Sequence, residues 1–143
     1  MQVHGSCAAR AGVGVLLIGP PGSGKSDLLL RLLDRGFELV ADDRVEIEDG
    51  MARAPMALEG LLEIRGLGIV RLAYARHARL ALAARMVAAG EVPRLPERAG
   101  QAFGVPEILV DPRQVSAAAL VERALDAATG RLASVAGAFR DSP

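Results

Sequence analysis

The chain has 143 residues, 51% of them hydrophobic and 24% charged, and its 17 basic and 17 acidic side chains leave no formal net charge. That length suits one domain with one core, and the apolar share excludes a mostly disordered chain. An even charge balance argues against duplex DNA or an anionic membrane as a bulk electrostatic partner, and a lone cysteine, Cys7, excludes an internal disulfide. No apolar run nears the roughly 20 residues that span a bilayer, and no secretory leader is recognisable. A cytoplasmic single-domain protein is expected.

In chain order, Val3 to Ala9 is weakly apolar and reads as a first strand. Val13 to Ile18 is a short continuous apolar run ending in a glycine-rich turn, the pattern of a buried strand. From Ser26 to Arg35, Leu28, Leu29, Leu32 and Leu33 alternate with Asp27, Arg31, Asp34 and Arg35 at helical spacing, and Gly36 follows as a left-handed cap. Phe37 to Ala41 predicts another buried strand, running into Asp42-Asp43. Arg44 to Ala54 alternates around Asp49-Gly50, a hairpin signal. Leu61 to Leu72 is strand-like but broken at Gly66 and Gly68.

Arg79 to Val87 is alanine-rich and fits strand or helix. Gly90 to Pro106, with Pro93, Pro96, Gly100 and Gly104, predicts a long irregular segment of the kind that carries function. Pro106 to Val110 reads as a last strand. Ser116 is placed to cap a helix over Ala117 to Thr129, with Gly130 after it and an apolar stripe of Leu120, Ala124, Leu125 and Ala128. The expected organisation is one domain over residues 1–130 and a loosely held tail over 131–143.

All basic residues but one are arginine; the exception is Lys25. It lies in Gly19-Pro20-Pro21-Gly22-Ser23-Gly24-Lys25-Ser26, a complete G-x-x-x-x-G-K-[ST] loop between the predicted strand and helix. In such a loop the exposed backbone N–H groups and the helix N-terminus cradle phosphates. Lys25 would reach the β- and γ-phosphates, and the Ser26 hydroxyl would ligate Mg²⁺.

Asp42-Asp43 ends a predicted strand, where open α/β sheets place ligands. One carboxylate there could hold Mg²⁺ or take a proton from an attacking hydroxyl, or the pair is a solvated acidic turn balanced by Arg44. Alternation along a strand would aim only one of them at a nucleotide, unless the strand has already ended before the pair. Glu63 and Arg65, two residues apart, read from the residues alone as one exposed polar strand face. His4 alone is uninformative, Cys7 reads as a small core residue, and Arg71, Arg76 and Arg79 read as solvated surface.

Taken together, the glycine loop, Leu39-Val40-Ala41-Asp42-Asp43 and especially Leu62-Glu63-Ile64-Arg65-Gly66-Leu67-Gly68-Ile69 resemble the catalytic domain of HPr kinase/phosphorylase, over about residues 2–72. The resemblance implies an α/β fold: a P-loop kinase domain of the phosphoenolpyruvate-carboxykinase-like type, with a mixed sheet and flanking helices. It implies an ATP- and Mg²⁺-dependent kinase that phosphorylates a serine of the phosphocarrier HPr, with phosphorolysis as a second reaction. By the same resemblance Asp43 is the general base with Asp42 beside it, and Glu63 joins Ser26 at the metal. Arg65 falls in the segment tied to both reactions. His4 takes the place of an active-site histidine, and Arg94 that of a downstream active-site arginine. Val110 to Gln114 matches the family's dephosphorylation loop poorly, so the kinase direction stands on firmer ground. A homo-oligomer of unspecified size is kept open. A nucleotide kinase and a non-catalytic ATP sensor are the alternatives.

Overall fold

The computed structural model describes residues 1–140; the last three residues of the expected tail lie outside the described residues. Among these described residues ten strands and two α-helices follow in order: β1 (Gln2–Arg10), β2 (Val13–Ile18), α1 (Lys25–Asp34), β3 (Glu38–Ala41), β4 (Arg44–Glu48), β5 (Met51–Arg53), β6 (Leu61–Ile64), β7 (Gly68–Arg71), β8 (Ala78–Met86), β9 (Gly100–Ala102), β10 (Val105–Val110) and α2 (Ala117–Ala128). This is a mixed α/β fold of one eight-stranded sheet and a separate β6–β7 hairpin.

Strand β2 lies between antiparallel β1 and parallel β8, and β8 runs parallel to β10. At one end the sheet curls until β1, β4, β5, β8 and β2 form a closed circuit of pairings. At the other end it stays open. Strands β2 and β3 both run antiparallel to β1, so β2, β3, β8 and β10 all point their carboxyl ends the same way. The glycine loop leaves β2 at that end, which is where such sheets bind ligands.

Two cores fill the two faces of the sheet. Ala8, Val15, Leu17, Leu82 and Ala84 pack against Leu28, Leu29 and Leu32 of α1 and Val121, Ala124 and Leu125 of α2. Cys7, Ala9, Leu16, Ile18, Val45 and Leu80 fill the opposite face. Burial on both faces explains why β2 is continuously apolar rather than alternating. Leu28, Leu29 and Leu32 are fully buried, each contributing about 1.5–3 kcal/mol of transfer free energy, which holds α1 against the sheet.

Three hairpins close through two-residue turns with positive φ at both positions: Ala11-Gly12, Asp49-Gly50 and Phe103-Gly104. Gly36 is left-handed after α1, as its position predicted. Of the two readings open for the alanine-rich run, strand holds: it is β8, because its pairing with β2, β5 and β10 outweighs alanine's helix preference. Other expectations change. The irregular segment gives way at Gly100 to β9 and the Phe103-Gly104 turn.

Ser116 precedes α2 without a side-chain cap, and the buried face runs through Ala117, Ala118, Val121, Ala124 and Leu125, leaving Leu120 exposed. The tail is tied down in part: the Ala99 N–H donates to the Ala138 carbonyl at 3.0 Å, and Phe139 packs on the core. Among the described residues no helix is long and apolar enough to cross a membrane.

Candidate functional site

The glycine loop runs from Gly19 into the first turn of α1. Gly22 and Gly24 have φ of 77° and 104°, and Gly24 is the N-cap residue of α1 with no side chain to cap it. The first-turn N–H groups therefore face outward as an anion seat. Lys25 is buried, and its Nζ donates to the Gly19 and Pro20 carbonyls at 2.6 and 2.9 Å, folding the ammonium back over its own loop. Burial pushes the Lys25 pKa down, while the charges of Asp43 and Asp42 oppose that shift. Ser23 adds a buried hydroxyl that has no hydrogen-bond partner among the described residues.

The acidic pair sits at a kink in a strand. Strands β3 and β4 both pair with β1, with Cys7 opposite Ala41 and His4 opposite Arg44. The register continues across the gap, so Ser6 lies opposite Asp42 and Gly5 opposite Asp43. The Gly5 N–H donates to the Asp43 carbonyl at 3.0 Å. Asp43 has φ 70°, and the Arg44 N–H reaches back to the Asp42 carbonyl at 2.8 Å, a strained three-residue turn. Such backbone costs on the order of 1–3 kcal/mol and is found where a site requires it.

The turn has a direct consequence for the side chains. Plain alternation would send the two carboxylates to opposite faces; the positive φ at Asp43 breaks it. His4 and Ser6, two residues apart on one face of β1, meet one carboxylate each. Asp42 Oδ1 accepts from Ser6 Oγ at 2.9 Å and from Ser26 Oγ at 2.8 Å. Asp43 Oδ1 lies 3.3 Å from His4 Nε2. Lys25, Ser26, Asp42, Asp43 and His4 thus form one group beyond the carboxyl ends of β2 and β3.

The remaining predicted residues, Glu63, Arg65 and Arg94, form no hydrogen bond or ion pair with it among the described residues. Glu63 is exposed on β6 and Arg65 is exposed in the turn before Gly66; among the described residues neither makes a side-chain hydrogen bond or ion pair to the group around Lys25. Arg94 lies in the loop after β8 and lines a cleft of about 1060 Å³ shared with β10 and α2. Sequence reasoning missed Ser6, whose only signal is a hydroxyl beside the small residues Gly5, Cys7, Ala8 and Ala9 of β1.

This donor set suits Mg²⁺. It offers only oxygens, a hydroxyl and a carboxylate 2.8 Å apart, and among the described residues no three His, Cys, Asp or Glu side chains converge as a self-sufficient metal site. Mg²⁺ is commonly held by one or two carboxylates together with substrate phosphates. The glycine turn, open where a Cβ at Gly22 would meet nothing within 4 Å, leaves room for the phosphates.

The model of the HPr serine kinase C-terminal domain matches residues 1–78. HPr kinase/phosphorylase of Bacillus pumilus is 53% identical over 75 residues, and HPr kinase/phosphorylase 1 of Oceanobacillus iheyensis is 49% identical over the same length. Each alignment covers 49% of this chain and 24% of the relative, so the match spans about a quarter of those proteins. The solved HPr(Ser) kinase/phosphatase of Coxiella burnetii superposes with a TM-score of 0.70 at 26% identity, over 86% of this chain and 92% of that one.

Proposed function

The chain belongs to the HPr serine kinase C-terminal domain family, and on that premise we propose that it is an ATP- and Mg²⁺-dependent protein kinase that phosphorylates a serine of HPr. The observation that supports this most is the meeting of the glycine-loop residues Lys25 and Ser26 with the kinked acids Asp42 and Asp43 at one end of the sheet. A phosphate seat and a general base within one group are what phosphoryl transfer to a hydroxyl requires.

In this reading Gly19, Pro20, Pro21, Gly22, Ser23 and Gly24 wrap the phosphates of ATP. Lys25 leaves the Gly19 and Pro20 carbonyls for the β- and γ-phosphates. Ser26 and Asp42 would hold Mg²⁺, with Glu63 as a further contact. When bound, the metal neutralises charge that builds on the phosphates. Asp43 takes the proton from the serine hydroxyl as its oxygen bonds to the γ-phosphorus, and the bond to the bridging oxygen breaks to release ADP. His4, 3.3 Å from Asp43, orients that carboxylate. Arg94 is assigned to the transferring phosphoryl group and Arg65 to the approach of the protein substrate. Phosphorolysis of phosphoserine-HPr, the second activity in the relatives' name, would use the same seat for inorganic phosphate.

The test is transfer from γ-labelled ATP with HPr and a nucleotide panel side by side. Label is expected in the HPr band, and Lys25→Met is expected to lower the rate by roughly 10²–10³ or more while keeping the native circular dichroism spectrum. Label in a nucleotide instead would assign a small-molecule kinase. ATP binding with no labelled product would assign a sensor.

A further inference from the structure

We infer that Ser6 is a positioning residue for the metal-holding carboxylate of Asp42, a role that rests on the kinase reading above. Ser6 is completely buried, in a stretch of β1 where Cys7, Ala8 and Ala9 are all buried and small. A hydroxyl without a partner would be costly there, and an apolar side chain of the same size would pack without that cost. Its partner is one specific atom, Asp42 Oδ1, at 2.9 Å. The contact follows from the strand register, which sets Ser6 directly across from Asp42.

Asp42 Oδ1 accepts a second hydrogen bond from Ser26 Oγ at 2.8 Å, so two hydroxyls reach the same oxygen. They differ in kind. Ser26 is exposed, sits on the phosphate loop and would turn its oxygen toward a metal. Ser6 is fixed inside the sheet and, among the described residues, has no other side-chain hydrogen-bond partner. Once Ser26 engages the metal, Ser6 is the group that keeps the Asp42 carboxylate turned toward the loop. Outer partners of metal ligands typically account for 10–100-fold in metal affinity. Beside Asp42 the backbone turns through the strained Asp43, so the peptide unit alone does not fix the carboxylate's direction.

The experiment measures ATP affinity across an Mg²⁺ titration, and in EDTA, for the native chain, Ser6→Ala, Ser6→Thr, Asp42→Asn and Ser6→Ala combined with Asp42→Asn. Ser6→Ala is expected to bind ATP in EDTA within twofold of native while its Mg²⁺ midpoint rises about tenfold or more. Ser6→Thr, which keeps the hydroxyl, is expected to restore the midpoint. In the Asp42→Asn background Ser6→Ala is expected to change nothing further, a result that simple loosening of the sheet would not produce.

An unchanged Mg²⁺ midpoint, an equal loss of affinity in EDTA, or an additive effect with Asp42→Asn would each overturn the inference while leaving the kinase reading in place. A native chain that binds no ATP with or without Mg²⁺ would overturn both. Should Ser6→Ala fail to fold, the Mg²⁺ midpoint of Ser6→Cys decides the matter: the weak thiol donor is expected to raise it, and a native midpoint overturns the assignment.

Discussion

Gly24→Ala is the sharpest structural test of the phosphate loop. A Cβ at Gly24 would lie 2.9 Å from Pro112 Cγ and 3.0 Å from Pro112 Cβ, on a backbone with φ of 104°. The left-handed conformation costs a non-glycine residue about 1–2 kcal/mol. Overpacking adds about 1–3 kcal/mol when the neighbour cannot move aside. Pro112 is such a neighbour. Arg31 donates through its guanidinium to the Pro112 carbonyl and, at 3.2 Å, to the Gln114 carbonyl, and Asp111 accepts from the Arg113 N–H at 3.0 Å.

The two costs together come to about 2–5 kcal/mol. Gly36→Ala is the matched control: its φ is 90° and nothing lies within 4 Å of the added Cβ, so only the backbone cost of about 1–2 kcal/mol applies. Urea denaturation of the three chains measures both, and Gly24→Ala is expected to lose clearly more than Gly36→Ala. Equal losses, or a Gly24→Ala chain within about 0.5 kcal/mol of native, would refute the packing of the loop on Pro112.

Two further outcomes follow from charge and burial. Glu122 of α2 accepts from Arg35 and Arg10 at 2.9 and 2.6 Å, and the Arg35 hydrogen bond, with the charges of Arg35, Arg10 and Arg123, holds its carboxyl below the usual range. A carboxyl depressed on folding stabilises the folded state above its unfolded pKa, and that contribution fades as pH falls through the folded value. Glu122→Gln is therefore expected to cost about 1–2 kcal/mol at pH 7, the gap to native closing in urea melts below the unfolded carboxylate pKa. Cys7 is fully buried and its thiol is pushed up to about 12, so iodoacetamide at pH 8 is expected to modify it only after unfolding; rapid labelling of the folded chain would contradict that burial.

What the sequence made legible was what local chemistry dictates. The apolar run of β2, the helical spacing of α1, Gly36 and the Asp49-Gly50 turn each need only neighbours along the chain, and each appears where those neighbours point. The rest depends on distant pairing. Strand β8 is a strand because three others flank it, and α2 turns its Val121 face inward because the sheet and α1 lie there. Phe103 takes a left-handed conformation that a bulky side chain does not advertise.

At the site, the loop residues could be read directly. The sequence leaves the union of both carboxylates open, since it depends on the strand ending before the pair; β3 does end at Ala41, and the turn at Asp43 completes the break. Ser6 was hidden because its partner, 36 positions away, becomes a neighbour only through the β1–β3–β4 register.

Fragmentation mass spectrometry of HPr from the same organism, after exposure to this protein, ATP and Mg²⁺, decides whether the chain is a protein-serine kinase. One added phosphoryl group on a serine is expected, its initial rate of appearance lowered by roughly 10²–10³ or more when Asp43→Asn or Lys25→Met replaces the native chain. An unmodified HPr, or one modified at an equal rate by those two variants, would contradict the kinase reading.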